Sequence, residues 1–382
     1  DNYSKPINSN FLKILRIICF IFACIFLPDI KFKDTGFTNL DIREAKKVII
    51  ERFGEFPFFE VGKIVEKTNL KQFHLNDIKM IKYAIAYMLA KYRDVANIKE
   101  MMNKTYKVAG YNFSICGDAI CNAVELISGF KPFETAEQDV LFAFTEGTDT
   151  PNMLSVQYEF AYEDVTGKFG RSDNGYLLVL QPAEEDALYL WSTDTKTDLQ
   201  ITGNLSIHLF RFALWVGFGL KILPLGAVAI HSSCIVYQNK AVLFLGESGT
   251  GKSTHTRLWR EHIQGAFLLN DDSPIIKVED GKIWAYGSPW SGKTPCYKQE
   301  RYPLAACVRL SQAPHNSIKR LSVLQAYGSI HPSCPPEFAY DSKLYDHISS
   351  FIDKLISNVP FYHLACLPNQ DAAVLSHKTV ML

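Results

Sequence analysis

Two short runs of this chain combine residue types that do chemistry on phosphates. In "FLGESGTGKSTHTRLW", Gly246, Gly251, Lys252 and Ser253 satisfy G-x-x-x-x-G-K-[ST], the spacing of a phosphate-cradling loop. Glycines let backbone N–H groups curl around phosphate oxygens, and the following helix turns its positive end to the same anion. The cradle read this way takes in Gly246, Glu247, Ser248, Gly249, Thr250, Gly251, Lys252, Ser253 and Thr254. Lys252 can reach the β- and γ-phosphates and the Ser253 hydroxyl can ligate Mg²⁺, so ATP with Mg²⁺ is the expected ligand pair.

The second run is "FLLNDD", an apolar strand ending in Asp271 and Asp272. Such a strand sets a carboxylate at the edge of a sheet, beside the loop. Two adjacent acids allow a division of labour, one toward Mg²⁺ and one toward the attacking group. An acid placed to accept a hydroxyl proton suits phosphoryl transfer to an alcohol. The plainer alternative is that one acid caps a turn before Pro274. His231, in "IHSSCIV", lies one strand before the loop strand and can reach the same edge; taken alone it reads as a core or surface histidine. Signatures of other phosphate-loop machines are missing: no LSGGQ, no NKxD, and no Asp-Glu pair ending the second strand.

These groups meet only if strands and a helix carry them there. "AVAIHSSCIVY" and "KAVLFLG" read as two strands joined by the turn "QNK", and "KSTHTRLWREHI" as the helix after the loop. Upstream, "YKVAGYNFSI", "LSVQYEFAYEDV", "GYLLVLQP" and "ALYLWSTD" read as short strands. "NLSIHLFRFALWVGFGLKILP" reads as a buried helix ended by Pro224; its interruption by His208, Arg211 and Lys221 favours a core helix over a membrane span, with His208 expected in the core. From 38 to 103 the pattern is helical, with Ile78, Ile81, Ile85, Leu89 and Tyr92 forming a packing stripe. The expected organisation is an apolar segment at 1–35, a helical appendage at 36–105, a β-rich front part at 106–225 and a phosphate-loop core at 226–382.

Composition narrows the partners. Lys+Arg and Asp+Glu are both 40, so no overall field favours nucleic acid. Nine cysteines form no CxxC pair and no zinc-like cluster, which fits reduced thiols and a cytoplasmic protein. The run from Ile17 to Pro28 is shorter than the roughly 20 residues of a bilayer span. It reads as a buried or oligomer-facing helix, with membrane association of residues 11–28 left open and a homo-oligomer expected.

The stretches "IHSSCIVYQNKAVLFLGESGTGKSTHTRLW" and "FLLNDDSPIIKVEDGKIWAYGSPWSGK" together resemble the HPr kinase/phosphorylase family and its relatives with the phosphoenolpyruvate-carboxykinase-type nucleotide-binding fold. A further likeness is to HPr-kinase-related kinases, some linked to peptide modification, through "YKVAGYNFSI" and "VPFYHLACLPNQDAAVL". The resemblance covers roughly 106 to 380 and is strongest between 229 and 293. It implies an α/β fold with a phosphate-loop core of that type, preceded by a β-rich region. It also implies Gly246 to Ser253 as nucleotide loop, Ser253 and Asp271 at the metal, Asp272 as general base and His231 close to the phosphates.

The chain departs from the family in two places. The family's further metal-binding glutamate has no counterpart, and "AYGSPWSGK" fills that stretch, with Trp290 and Lys293 either shaping the acceptor site or packing on the core. The family's basic loop is not evident either, leaving Arg301 and Arg309 as candidates by proximity. The resulting expectation is an ATP- and Mg²⁺-dependent kinase acting on a hydroxyl, Ser or Thr of a protein or peptide, with Asp272, Lys252 and His231 catalytic. The alternatives are a nucleotide-binding sensor or partner-binding subunit, and a small-molecule kinase.

Overall fold

The computed structural model describes residues 102–381, except 138, 174, 194–196 and 293. The residues up to 101 whose sequence pattern reads as helical, the apolar run at 11–28 and Lys293 therefore lie outside the described residues. Everything described belongs to one compact unit, Met101–Leu382.

Within that unit the chain forms a mixed α/β fold with two sheets. The first opens with a hairpin, β1 (Asn103–Val108) and β2 (Tyr111–Cys116), so the last residues of the 36–105 stretch belong to a strand. "YKVAGYNFSI" is thus two strands, not one. Ala109 and Gly110 both take positive φ, 52° and 80°, the backbone a two-residue hairpin turn needs. Alanine seldom adopts that conformation, which hides the turn from sequence. The sheet continues with β3 (Phe142–Glu146), β4 (Met153–Tyr162), β5 (Val165–Ser172), β6 (Gly175–Pro182), β7 (Leu188–Ser192) and β8 (Leu199–Gly203), in the order β1-β2-β3-β8-β7-β6-β5-β4. A short helix, α1 (Asp118–Glu125), follows β2.

Helix α2 (Ile207–Ile222) links the sheets, and ten of its sixteen residues are buried, as a core helix requires. His208 is the exception to the expectation. It lies in the exposed first turn, because the buried stripe begins one residue later, at Leu209.

The second sheet holds β9 (Ala227–Ala229), β10 (Ser232–Tyr237), β11 (Lys240–Leu245), β12 (Phe267–Asp272), β13 (Ile275–Glu279), β14 (Lys282–Tyr286), β15 (Arg301–Gln312), β16 (Ser317–Arg320) and β17 (Phe361–Cys366). Its main path runs β12-β10-β11-β15-β14-β13-β9, with β17 pairing β15 and β16. β10 and β11 form a hairpin around Gln238 and Asn239, both at positive φ. β11 is buried on both faces. Val242 and Phe244 pack with Leu258 and Trp259 of α3 (Lys252–His262) and Ala373 of α6 (Gln370–Met381), while Ala241, Leu243 and Leu245 join the larger core. That two-sided burial explains why the strand reads as an unbroken apolar run. Helices α4 (Val323–Ile330) and α5 (Ser342–Asn358) complete the unit.

Candidate functional site

Strand direction brings the chemistry-bearing residues to one edge. β10 runs antiparallel to both β11 and β12, and β11 runs parallel to β15. The register aligns Asp272, Ser232, Leu245 and Arg309 across four strands. The glycine loop leaves β11 at this row, and α3 begins where the loop ends.

Two glycines explain the loop's composition. Gly251 has φ 102°, left-handed backbone that a side chain would strain, and it precedes an α3 N-terminus with no side-chain cap. The first N–H groups of a helix have no intrahelical partner, so this end is open to an anion. At Gly246 a Cβ would collide with Thr250 Oγ1. Lys252 reaches back along the loop, its Nζ donating to Gly246 O at 2.8 Å and Glu247 O at 3.2 Å. Burial pulls its ammonium below the usual lysine range, a shift opposed by Asp272.

His231 joins the lysine to the acid. Its Nε2 lies 3.0 Å from Lys252 Nζ, and its Nδ1 faces Asp272 Oδ1 at 3.4 Å. An ammonium only donates, so beside a charged Lys252 the network makes Nε2 the acceptor and leaves the ring hydrogen on Nδ1, toward the carboxylate. The His231 amide also donates to Ser333 O at 2.8 Å, tying the residue to the segment after α4.

Adjacent strand residues point to opposite faces, and this separates the two acids. Asp271 is buried against α3, where Oδ1 accepts from Ser233 Oγ at 2.6 Å and Ser233 Oγ contacts Thr256 Oγ1 at 3.1 Å. Its other oxygen, Oδ2, is buried with no hydrogen-bond partner. Asp272 turns the other way, toward His231 and a cavity. Asn270 fixes the turn after the strand: its Oδ1 accepts from the amides of Asp272 (3.0 Å) and Ser273 (2.8 Å), while Nδ2 donates to Trp290 O at 3.0 Å.

Arg309 adds a cation at the loop. Its Nη2 is 2.7 Å from Glu247 Oε1, and Nη1 donates to Ser329 O at 3.3 Å. Arg301 is elsewhere, paired with Glu279 and lying over Trp284, so of the two arginines only Arg309 belongs to the site. Trp290 packs into the core against Phe130 and Phe218, with Nε1 donating to Arg211 O at 3.1 Å, and also lines the cavity that His231 and Asp272 face.

Cavities lie on either side of the loop's chemistry. One, of about 620 Å³, is lined by Gly249, Thr250, Gly251 and Thr254 together with Leu310, Gln312 and Leu367. The other, of about 380 Å³, has His231 and Asp272 in its wall, with Arg211, Trp215 and the segment from Pro332 to Glu337.

The structure therefore brings Lys252, His231 and Asp272 into one chain of contacts and turns Asp271 to the opposite face of β12, toward Ser233 and Thr256 of α3. Sequence reasoning missed Ser233, Asn270 and Arg211. For the first two a local signal exists, since each is a polar residue next to the apolar part of its strand; Arg211 reads only as a charge interrupting a helix.

No family model matches the chain, and no curated protein matches it. Among solved structures, one described as the Hpr(Ser) kinase/phosphatase from Coxiella burnetii is similar over 40% of this chain and 93% of its own, at 12% identity and a TM-score of 0.24. This is a distant likeness in part of the chain, and it says nothing of activity.

Proposed function

We propose that the chain is a kinase that transfers the γ-phosphoryl group of ATP to a hydroxyl, on Ser or Thr of a protein or peptide. The observation that carries this reading is the contact chain Lys252–His231–Asp272, which runs from the glycine loop to the smaller cavity. An acid in the wall of a second cavity sets a proton acceptor where a hydroxyl substrate would enter, which supports transfer to an alcohol.

In this reading the nucleoside half occupies the larger cavity and the phosphates follow the loop to the open end of α3. Lys252 exchanges the loop carbonyls for β- and γ-phosphate oxygens and stabilises charge developing on them. Asp272 accepts the acceptor's hydroxyl proton, the oxygen bonds to the γ-phosphorus, and the bond to the β-phosphate oxygen breaks. ADP leaves with that electron pair, and the proton on Asp272 passes to solvent. His231 holds Asp272 oriented toward the acceptor and away from Lys252.

Ser253 and Asp271 fit Mg²⁺: the unpartnered Asp271 Oδ2 is a lone pair left over for a cation close to the start of α3. The bound ion would supply charge neutralisation on the phosphate oxygens.

Purified protein is incubated with ATP, Mg²⁺ and a panel of acceptors. Asp272→Asn should keep nucleotide-dependent thermal stabilisation while transfer drops by about 10²–10⁴-fold, the usual weight of a general base. Full transfer in that variant removes the base assignment. Stabilisation by nucleotide without transfer to any acceptor would favour a nucleotide sensor instead.

A further inference from the structure

The register that aligns Asp272, Ser232, Leu245 and Arg309 continues past the loop. Arg309 of β15 pairs with His363 of β17, and His363 pairs with Lys319 of β16. Residues in register share a face, so Arg309, His363 and Lys319 lie on the face of the sheet that carries Asp272. The other face belongs to the larger cavity, whose wall takes Leu310, Gln312 and Cys366 from the alternate positions of β15 and β17. The row therefore stands on the same side of the sheet as the acid that meets the acceptor.

This row is cationic and open. Arg309 has one carboxylate partner, Glu247. Lys319 is exposed and makes no ion pair among the described residues. His363 between them is half-buried, with Nε2 2.9 Å from Ser311 Oγ. Burial, Lys319 and Arg309 together hold its pKa below the usual histidine range, and no carboxylate counters them. Like charges gathered on one sheet face cost free energy, which an anionic partner relieves. The span suits a chain better than a small anion. Neighbouring strands lie about 4.8 Å apart, so Lys319 stands roughly 10 Å from Arg309 and roughly 24 Å from Asp272, with Arg309 roughly 14 Å from that acid.

We infer that Arg309, His363 and Lys319 form a docking surface for an acidic segment of the polypeptide acceptor, several residues away from the hydroxyl that faces Asp272. This inference rests on the kinase reading and adds the part of the acceptor that lies outside the cavity. An extended chain advances about 3.3 Å per residue, so the acids fall about four to seven residues from the phosphorylated one.

Four peptides of equal length test this with the wild-type chain, ATP and Mg²⁺. Two carry glutamates about four to seven residues from a single serine, one on its N-terminal side and one on its C-terminal side. The third has glutamines at all those places, and the fourth moves the glutamates to within three residues of the serine. One of the first two should show a KM about fivefold below that of the glutamine peptide, the weight of two exposed pairs, and the gain should fade as salt rises. Lys319→Glu should remove most of that gain, leaving transfer to the glutamine peptide and stabilisation by nucleotide unchanged. A peptide with lysines in place of the favoured glutamates should then prefer the variant to the wild type. A gain equally large with the near glutamates, or one unaltered in Lys319→Glu, overturns the inference and leaves the kinase reading standing.

Binding is measured apart from turnover, by anisotropy of the labelled peptides with a non-hydrolysable ATP analogue present. The favoured glutamate peptide should bind about fivefold tighter than the glutamine peptide, and Lys319→Glu should erase most of the difference. No difference for either glutamate peptide overturns the docking surface whatever the activity. A single-stranded oligonucleotide that binds the wild type more tightly than the glutamate peptides, and loses this in Lys319→Glu, assigns the row to nucleic acid and overturns it too. Glutamate-dependent binding without transfer to any peptide supports the surface and counts against the kinase reading.

Discussion

Asp341 is a sensitive point for the acceptor cavity although it lies outside it. Its carboxylate is 3% exposed and accepts from Gln157 Nε2 at 2.8 Å, Arg171 Nε at 2.9 Å, Tyr176 Oη at 2.9 Å and the Leu344 amide at 3.0 Å. It therefore caps α5 and ties β4, β5 and β6 to the segment that walls the cavity. Burial works to raise its pKa, but the hydrogen bonds from Gln157, Leu344, Tyr176 and Arg171 outweigh this and hold it below the usual carboxylate range. In Asp341→Ala, Arg171 and Tyr176 each lose the hydrogen bond to this carboxylate. Breaking a buried pair costs about 3–5 kcal/mol, and the partial exposure of Arg171 argues for about 3. The lost helix cap adds about 1 kcal/mol. The total of about 4 kcal/mol is a large share of a native stability of about 5–15 kcal/mol.

Urea unfolding at pH 7 should show this loss, and acceptor KM should rise while nucleotide affinity holds. Because the folded pKa is depressed, the wild-type advantage is complete above about pH 4, the unfolded carboxyl's value, and disappears as pH falls toward the folded value. A loss under about 1 kcal/mol at pH 7, or a gap that stays constant into acid, would refute the reasoning.

Three other outcomes follow from the site. Asn270→Ala removes the acceptor for the Asp272 and Ser273 amides, so kcat should fall with little change in nucleotide binding, and chemical denaturation should register about 1–3 kcal/mol. Glu247→Gln frees Arg309 from its ion pair and takes an anion off the loop; calorimetry should find nucleotide binding tighter by a few-fold, the scale of a half-exposed pair, and a smaller gain in an Arg309→Ala background, where no guanidinium is freed. Glu337 has one buried, unpartnered oxygen, and burial raises its carboxyl to about 7. A raised acid weakens the fold as pH climbs from the unfolded value through about 7, so Glu337→Gln should gain melting temperature over the wild type at pH 8 and not at pH 4.

The glycine loop and the paired acids were legible because their signals are local. Gly246 to Ser253 is a contiguous pattern, and an apolar run ending in two acids reads as a strand ending at an edge. Even the division between Asp271 and Asp272 follows from the two-residue period of a strand. What stayed hidden depends on pairing between distant segments. Arg309, a candidate by proximity alone, reaches the loop because β15 lies parallel to β11, and Arg211 lines the cavity because α2 sets its guanidinium against Ser291 O, far away in sequence. His208 was misread for a different reason: composition made the helix core, but only the stripe from Leu209 onward decides which face is buried. Arg301 was misread because closeness in sequence does not survive a strand that carries it toward Glu279.

The two cavities share no lining residue, although the Lys252–His231 contact spans the gap between them. In a kinase built this way, donor and acceptor arrive by separate doors, so neither has to wait for the other. Both must be aboard before anything moves, since the group between them passes in one hop with no way-station on the protein. Such a kinase is a coincidence detector: its rate reports the product of two occupancies, and scarcity of either partner silences it.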